Sequence, residues 1–283
     1  MLRADTLTLT EWIRDAERSL ARAGVSSPRN DAERLAALGL GLQWGDLWTR
    51  LRQPINETSR SRLANVLERR SAGEPLAYIV GSVVFYGTEI MCGPGVLVPR
   101  PETETLVDVA LELIAERREP IVVDIGTGTG AIAIAVAGAR PDARVWGTDA
   151  SSPALSYAAR NVERLGVRVE LLHGDLCRAL PDNLVGSVDL VVSNPPYIAD
   201  VAVLPADVLA EPADALRAGP LGDEVLVRLI GEVAPVLNAR GALAVEIGTH
   251  DQAASLASAL RGFTVVGVRD DRNGRPRVVW AKR

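Results

Sequence analysis

The chain has 283 residues, of which 47% are hydrophobic, and this is enough for one large domain and a smaller one. Its net charge of −5 argues against a protein that grips duplex nucleic acid, because such a protein would carry a strong basic excess. Only two cysteines and two histidines are present, which argues against a disulfide framework, a zinc site or a histidine-based triad and fits a reducing cytoplasm.

Residues 1–75 are predicted to form a small helical domain. Residues 1–10 lack the apolar core of a signal peptide, and no later run approaches the roughly 18 apolar residues of a membrane span, so we expect neither export nor membrane insertion. Thr8 and Glu11 have the spacing of a capping box at the start of the first helix. A further helix is predicted over residues 56–70, and its outward arginines are either a solvated face or a partner-binding surface.

A β-hairpin is predicted next, over residues 76–98. From Ala77 to Val98, β-branched and aromatic residues are interrupted by glycines, a pattern that favours short strands joined by tight turns. We expect this hairpin to link the helical domain to a larger domain at residues 99–283.

Two prolines fix an extended corner at the start of the larger domain, in the segment Val98-Pro99-Arg100-Pro101-Glu102-Thr103-Glu104. A helix with apolar spacing is predicted over residues 102–118. Two interpretations of the charged residues stay open. Glu102 and Glu104 either favour the positive end of this helix, or they and Arg100 face a ligand pocket, in which case Arg100 is a substrate-binding residue.

A strand, a glycine-rich turn and a helix follow, in the order found in nucleotide-binding loops. The apolar strand Ile121–Ile125 contains one acid, Asp124, and the turn after it is Gly126-Thr127-Gly128-Thr129-Gly130. Missing side chains in such a turn let a ligand approach backbone N–H groups at a helix N-terminus. The turn alone fits either NAD or S-adenosylmethionine. Asp124 favours the second, because it would attract an ammonium group and repel a pyrophosphate.

Acidic residues follow the next two strands. Asp149 comes 23 residues after Gly126, where a carboxylate can accept hydrogen bonds from both ribose hydroxyls of an adenosine. Its alternative role is the N-cap of the helix that follows. After the third strand, Asp175 could accept from an adenine amine, while Leu176 could offer a backbone N–H and an apolar contact.

The fourth strand ends in the segment Asn194-Pro195-Pro196-Tyr197. An enzyme that alkylates a planar amide or an aromatic amine must hold both of its N–H hydrogens. The Asn194 side-chain oxygen can accept one, the backbone carbonyl of Pro195 can accept the other, and Tyr197 can stack on the planar group. A residue before proline is biased toward an extended conformation, which would fix these acceptors. The alternative is a proline-rich turn without a chemical role.

The remaining pattern determines the predicted fold class. Residues 198–222 form a loop long enough to cover a site, and helical spacing resumes over residues 223–237. A fifth strand, at residues 241–247, is followed by a helix and a terminal hairpin. Strands that alternate with helices and end in a hairpin indicate an α/β, Rossmann-like fold, with a mostly parallel sheet and one antiparallel edge strand.

The glycine turn, Asp149, Asp175 and Asn194-Pro195-Pro196-Tyr197 together resemble class I S-adenosylmethionine-dependent methyltransferases that act on planar amide or amine nitrogens. The helical domain, the hairpin, residues 98–104 and Glu211-Pro212 extend the likeness. Nearly the whole chain resembles the peptide chain release factor glutamine methyltransferases, the PrmC/HemK family. The tetrapeptide is shared with DNA adenine methyltransferases, so the flanking features support the narrower assignment.

The resemblance implies methylation of the amide nitrogen, N5, of the glutamine in the Gly-Gly-Gln motif of bacterial class 1 release factors. It implies S-adenosyl-L-methionine as the cofactor, no metal, and substrate recognition by residues 1–75. The residues implied to bind the cofactor are Gly126, Thr127, Gly128, Thr129, Gly130, Asp149, Asp175, Leu176 and Asn194. The residues implied to hold the glutamine are Asn194, Pro195, Pro196 and Tyr197. Phe85-Tyr86 and the arginine-rich turn Asp270–Pro276 depart from the family pattern, which affects the expected fit of the partner.

We expect a direct in-line displacement in which the main contribution of the protein is positioning. The extra proton on an alkylated amide is very acidic, so no dedicated base is required. A nucleic-acid amine methyltransferase that acts on a flipped base is the first rival, and the net charge argues against it. A noncatalytic S-adenosylmethionine-binding adaptor is the second, and the intact Asn194 and Tyr197 argue against that.

Overall fold

A computed structural model describes residues 7–260 and 262–283, except for the side chains of Ala257 and Val265. Residues 1–6, on which part of the signal-peptide prediction depends, lie outside this range. The α-helices of the described residues are α1 (Leu9–Arg22), α2 (Pro28–Leu40), α3 (Glu57–Ser71), α4 (Leu76–Val80), α5 (Glu104–Leu113), α6 (Ala131–Ala139), α7 (Ser152–Leu165), α8 (Ala206–Leu209), α9 (Ala213–Leu216), α10 (Glu224–Val236) and α11 (His250–Ala259). The strands of the same residues are β1 (Ser82–Phe85), β2 (Thr88–Met91), β3 (Ile121–Ile125), β4 (Arg144–Asp149), β5 (Val169–His173), β6 (Val188–Ser193), β7 (Leu237–Glu246), β8 (Val265–Asp270) and β9 (Pro276–Lys282).

The chain divides into two compact units. Unit 1 runs to Ser82 and also includes Leu204–Ala210, while unit 2 consists of Val83–Val203 and Glu211–Arg283. Nothing in the sequence analysis predicts that Leu204–Ala210 packs with the N-terminal helices. The predicted division into a recognition domain, a linker and a catalytic domain stays a prediction. Within the described ranges, no helix is both long enough and apolar enough to cross a bilayer.

Unit 1 packs its helices around an apolar core. The predicted capping box is present, because Thr8 Oγ1 accepts from the Glu11 N–H (3.4 Å) and Glu11 Oε2 accepts from the Thr8 N–H (2.8 Å). Near the end of α3, Arg70 is only 4% exposed and donates hydrogen bonds to Asp31 in α2 (2.8 Å) and to Asp207 in α8 (3.1 Å). These ionic contacts hold α8 on helices that are far from it in sequence.

Arg70→Ala is expected to lower the free energy of unfolding by roughly 3–5 kcal/mol, because it would leave Asp31 buried without its cationic partner. Arg69 offers a matched control, since it pairs with Glu74 through a side chain that is 40% exposed. Arg69→Ala should cost less than about 1 kcal/mol. Urea unfolding followed by circular dichroism measures both variants. Equal losses of unfolding free energy in the two variants would mean that the ion pairs of Arg70 stabilise the protein no more than an exposed ion pair does.

The segment Ala77–Val80 is a correction to the sequence analysis, which predicts a strand there. It forms the short helix α4, in which Tyr78 and Ile79 are buried, and Gly81 ends the helix with a φ of 88°. Burial of one helical face outweighs the β propensity of these residues. The predicted hairpin is confined to β1 and β2. Its turn, Tyr86-Gly87, has positive φ at both positions, 48° and 72°, as a type I′ turn requires.

Unit 2 is built on a seven-stranded sheet in the order β5-β4-β3-β6-β7-β9-β8. Strands β3 to β7 are parallel, whereas β9 pairs antiparallel with β7 and with the outermost strand β8. The predicted Rossmann-like α/β fold, with a mostly parallel sheet and an antiparallel strand at one edge, is confirmed. Helix α5 ends at Leu113 instead of near Arg118, because its buried apolar stripe ends at Ile114.

The parallel strands all end at one edge of this sheet. At that edge β3 ends at Ile125, β4 at Asp149, β6 at Ser193 and β7 at Glu246. The chain proceeds from β3 outward to β4 and β5 on one side, and then returns to β6 and β7 on the other. Such a reversal of strand order leaves a crevice at the carboxyl ends, where α/β proteins bind their ligands.

Candidate active site

A cavity of about 270 Å³ opens at the carboxyl edge of the parallel strands in unit 2. Its walls come from the turn after β3, the ends of β4, β5 and β6, the segment before α5, and parts of α9 and α10. The predicted ligand-binding residues that line it are Arg100, Gly126, Thr127, Gly128, Thr129, Asp149, Asp175, Leu176, Asn194 and Pro196. Four other predicted residues, Asp124, Gly130, Pro195 and Tyr197, do not line it.

The glycine turn leaves open space in front of its backbone. Gly126 and Gly128 have φ of 71° and 58°, which only glycine adopts without a steric cost. Among the described residues other than the chain neighbours, a Cβ at Gly126 would meet no heavy atom within 4 Å, and one at Gly128 would meet only Val96, at 3.9 Å. A Cβ at Gly130 would instead lie 3.3 Å from Ala158 in α7. The first two glycines therefore give a ligand room at the N-terminus of α6.

Asp149, at the end of β4, is held by the backbone around it. Its Oδ2 accepts from the Gly128 N–H and its Oδ1 accepts from the Ser151 N–H, both at 2.8 Å. Burial raises the pKa of Asp149, and the nearby Asp214 carboxylate adds to the rise. The alternative in which Asp149 caps α7 is wrong, because Ser151 is the N-cap and accepts from the Ala154 N–H (3.3 Å). Each Asp149 oxygen retains acceptor capacity for a ligand hydroxyl.

Asp124 lies behind the glycine turn and not in the cavity wall. It is fully buried, and its Oδ2 accepts from the Thr127 hydroxyl (2.6 Å) and the Ala133 N–H (3.2 Å), which ties the turn to α6. Burial raises the pKa of Asp124 to about 7. Its Oδ1 has no hydrogen-bond partner within residues 7–260 and 262–283. The structure does not bring Asp124 to the cavity, so its predicted contact with an ammonium group stays a prediction.

Asp175 and Leu176 line the cavity after the end of β5, as the sequence analysis predicts. Asp175 Oδ2 accepts from the Arg228 guanidinium of α10 (2.5 Å), and both side chains are half exposed. Arg228 also lines the cavity, and no local sequence pattern singles it out. Arg228 therefore uses part of the hydrogen-bond acceptor capacity of Asp175, and a ligand amine can donate only to the lone pairs that remain.

Asn194 reaches the cavity from the end of β6, where the following prolines stop the strand. Its Nδ2 donates to the hydroxyl of Thr103 (3.2 Å), a buried residue in the 3₁₀ turn Pro101–Thr103. The Asn194 Oδ1 is therefore left as the acceptor at the cavity. Ser193 fixes the strand end by donating its hydroxyl to the Ile125 carbonyl (2.7 Å).

Tyr197 does not line the cavity, so its predicted stacking on the planar substrate group stays a prediction. Its hydroxyl donates to Glu246 Oε1 (3.1 Å), and its backbone carbonyl accepts from Gln252 Nε2 (2.8 Å). The ring lies so close to Gly248 that a Cβ there would be 2.9 Å from it. Burial, together with the Glu246 carboxylate, raises the pKa of Tyr197. A buried tyrosine is satisfied by an apolar neighbour and one polar partner, and both are present here.

Arg100 lines the cavity, but its charge is already paired. It donates to Glu211 Oε1, and the Val98 N–H donates to Glu211 Oε2 (2.8 Å). The buried Glu211 therefore fixes the extended corner before α5. Glu102 and Glu104 do not line the cavity. Of these three charged residues only Arg100 faces the pocket, so the role of Glu102 and Glu104 at the positive end of the helix stays a prediction.

Two polar residues at the site were not predicted to take part in it: Thr103, which lines the cavity, and Glu246, which lies behind it. Ser193 of β6 pairs with Val245 of β7. The residues that follow them, Asn194 and Glu246, are therefore neighbours across these two strands. The sequence locates Glu246 in a strand, but only the strand order makes it a neighbour of Asn194. A search of the sequence for polar residues at the carboxyl ends of all the predicted parallel strands would have included Glu246.

Comparisons with known proteins match both parts of the chain. The family model of the PrmC N-terminal domain matches residues 11–81, and that of the methyltransferase small domain matches residues 103–266. The release factor glutamine methyltransferase of Corynebacterium glutamicum is 36% identical over 98% of this chain and 99% of its own length. The protein of the same name from Mycobacterium tuberculosis is 41% identical over 98% of this chain and 92% of its own.

Solved structures are similar in fold. A methyltransferase from Pyrococcus furiosus has a TM-score of 0.51 and 19% identity, and the match covers 78% of this chain and 98% of that one. A T. thermophilus 16S rRNA N2 G1207 methyltransferase, in complex with AdoMet and guanosine, has a TM-score of 0.53 and 20% identity, with 71% and 49% covered. At these identities the likeness shows the fold alone.

Proposed function

The chain belongs to the release factor glutamine methyltransferases, and from that premise we propose that it transfers a methyl group from S-adenosyl-L-methionine to the glutamine N5 of the Gly-Gly-Gln motif in class 1 peptide chain release factors. The observation that most directly supports this is the position of Asn194. Its Nδ2 is engaged by Thr103, and its Oδ1 is left as an acceptor at the cavity wall. The protein works in the cytoplasm, and we expect no membrane association and no stable binding of nucleic acid.

The residues of the cavity fit S-adenosyl-L-methionine. Gly126 and Gly128 allow its amino acid part to approach the backbone of the turn, where a Cβ would otherwise project. Asp149 offers acceptor capacity on each oxygen for the two ribose hydroxyls. Asp175 and Leu176 bind the adenine. When bound, this cofactor supplies a methyl group that is already activated by attachment to a sulfonium.

Asn194 and Pro195 hold the target amide. The Asn194 Oδ1 accepts one N–H hydrogen of the glutamine. Pro195 does not itself line the cavity, but it lies between the lining residues Asn194 and Pro196, and its backbone carbonyl is the proposed acceptor for the other hydrogen. Pro196 and Arg100 line the cavity and are the proposed contacts for the rest of the glutamine side chain. Tyr197 acts at a distance, because its hydrogen bond to Glu246 fixes the chain immediately after the two prolines.

The contribution of these residues to the reaction is positional and electrostatic. Holding both hydrogens would orient the glutamine nitrogen toward the methyl group that the bound cofactor supplies. The nitrogen would gain a bond to carbon as the carbon–sulfur bond breaks and leaves a neutral thioether, and the two oxygen acceptors would stabilise the positive charge that develops on the nitrogen. The proton left on the nitrogen passes to water, because a protonated amide is very acidic. The chain therefore needs no dedicated base.

Asp149→Asn is expected to weaken S-adenosyl-L-methionine binding by about ten- to a hundredfold, because an amide cannot accept from two N–H groups and two hydroxyls at once. Isothermal titration calorimetry measures the dissociation constant. Asp142→Asn is the matched control, since Asp142 is an exposed aspartate that precedes the opposite end of β4. Equal affinity in both variants would remove Asp149 from the binding site.

A methyl-transfer assay tests the proposed function. Labelled S-adenosyl-L-methionine is supplied with release factor, DNA and RNA side by side, and mass spectrometry locates the methyl group. We expect one added methyl on the motif glutamine of the release factor. Label in nucleic acid would instead support the amine methyltransferase, and cofactor binding without transfer to any of the three would support the adaptor.

A further inference from the structure

We propose that Glu246 is a positioning residue for methyl transfer, which acts through Thr103 to fix the orientation in which Asn194 presents its Oδ1 to the cavity. This inference rests on the proposed function. Glu246 ends β7, and the pairing of Ser193 with Val245 makes it the neighbour of Asn194 across the two strands. It does not line the cavity, so any effect on the reaction must pass through its neighbours.

A chain of polar groups connects Glu246 to Asn194. The Asn194 Nδ2 donates to Thr103 Oγ1 at 3.2 Å, and Thr103 and Glu246 are both buried. Thr103 Oγ1 accepts from Asn194, which leaves its own hydrogen available for a further acceptor, and the Thr103 hydroxyl lowers the pKa of the buried Glu246 carboxyl. The Tyr197 hydroxyl donates to Glu246 Oε1 from the other side (3.1 Å). In the proposed arrangement, the carboxylate accepts from the Tyr197 hydroxyl and also directs the hydrogen of the Thr103 hydroxyl.

The direction of these hydrogen bonds decides which end of the Asn194 amide faces the cavity. Only its oxygen can accept a hydrogen from the substrate amide. While Glu246 is charged it cannot donate, so the Thr103 hydrogen is directed to it and Asn194 must present its NH₂ group to Thr103. A protonated Glu246 could itself donate to Thr103 Oγ1. The constraint that keeps the Asn194 oxygen at the cavity would then be lost.

Fold stability alone does not explain a carboxylate at this position. Burial raises the pKa of Glu246 to about 7, even though Thr103, Tyr197 and Arg277 all act to lower it. Arg277, on β9, is the nearest cation, at 3.9 Å, and Glu102, in the turn before α5, is the nearby anion. Within the described part of the chain, the second oxygen, Oε2, has no hydrogen-bond partner. A neutral side chain would avoid this cost of desolvation.

Glu246→Gln is expected to lower the kcat for release factor methylation by about 10- to 100-fold, with the KM and Kd for S-adenosyl-L-methionine nearly unchanged. The wild-type kcat should rise with pH through about 7, because the charged form of Glu246 orients Asn194. In the variant this rise should be absent. A residue that only supported the fold would not change the pH profile of the folded enzyme.

Two further variants keep the test independent of folding losses. Asp189→Asn is a control, because it also replaces a carboxylate with an amide. Asp189 lies near the start of β6, at the opposite end of that strand from Asn194, and accepts from the Ile121 N–H (2.9 Å) and from Arg117 (3.0 Å). The substitution should lower the unfolding midpoint and leave the kcat per folded molecule within about twofold. Thr103→Val removes the link at constant size. Combined with Glu246→Gln, it should lower kcat no further than one change alone, because both break the same chain.

A readout without turnover comes from carbon-13 NMR of glutamate carboxyls in the free enzyme. One resonance should titrate near pH 7 and disappear in Glu246→Gln. A variant that keeps the wild-type kcat and pH profile, or additive losses in the double variant, would overturn the inference while the proposed function stands. If Glu246→Gln does not fold, the kcat and pH profile of Thr103→Val decide. A wild-type enzyme that leaves release factor unmethylated would overturn the proposed function instead.

Discussion

Asn194→Ala should lower the kcat for release factor methylation by about 10²- to 10³-fold, which is the loss typical when one preorganised charge-stabilising group is removed. The dissociation constant for S-adenosyl-L-methionine should change little, because Asn194 is one wall residue among many. Stability should fall by only about 1 kcal/mol, since the side chain makes a single hydrogen bond, to Thr103. Single-turnover transfer at saturating cofactor separates the chemical step from binding.

Asn183→Ala is the control for this prediction. Asn183 is an exposed asparagine that precedes β6, whereas Asn194 follows it, so the two changes are chemically equal and lie at opposite ends of one strand. The control should retain a normal kcat. Normal turnover in Asn194→Ala would refute the assignment of the substrate amide to this side chain.

Gly128→Val should weaken binding of S-adenosyl-L-methionine by at least about 100-fold. Its φ of 58° is an outlier for a β-branched residue, and the Gly128 N–H also holds Asp149 at 2.8 Å. The valine methyl groups would occupy the open space in front of the turn. One change therefore obstructs the site and disturbs its carboxylate. Calorimetric titration of the free enzyme with cofactor measures the effect.

Gly138→Ala is the matched control on the helix that follows the same turn. Gly138 lies in α6, and a Cβ there would meet no atom of the described residues within 4 Å beyond its own helix and chain neighbours. Alanine should keep the affinity and raise the stability by about 0.5–1 kcal/mol, as expected within a helix. Native affinity in Gly128→Val would mean that the cofactor does not approach the backbone of this turn.

The elements that the sequence predicts correctly are those whose signals are local. The glycine turn, Asp149 and Asn194 each follow a short apolar strand directly, so their place at the carboxyl edge follows from a few adjacent residues. Parallel strands then bring these ends together without any further information. The cavity wall was predicted on this basis, and the Rossmann-like sheet was predicted from the alternation of strands and helices.

The features that the sequence analysis does not foresee depend on partners that are distant in sequence. Tyr197 is held by hydrogen bonds to Glu246 and Gln252, which lie in β7 and α11. The helix at Ala77–Val80 forms against β propensity because its buried face packs on helices from elsewhere in unit 1. A local pattern carries no information about such partners, and only the strand order or the packing supplies it.

The placement of α8 in unit 1 has a consequence for how the two units can be studied. The polypeptide changes unit three times, after Ser82, after Val203 and after Ala210. A fragment that stops at Ser82 lacks Asp207, one of the two anions that neutralise Arg70. A fragment that starts at Val83 contains α8 but lacks the helices on which α8 packs. In the sequence of that fragment, α8 follows Tyr197 by only a few residues. Shortened proteins would therefore perturb both units together, and single substitutions in the intact polypeptide are the means of separating their roles.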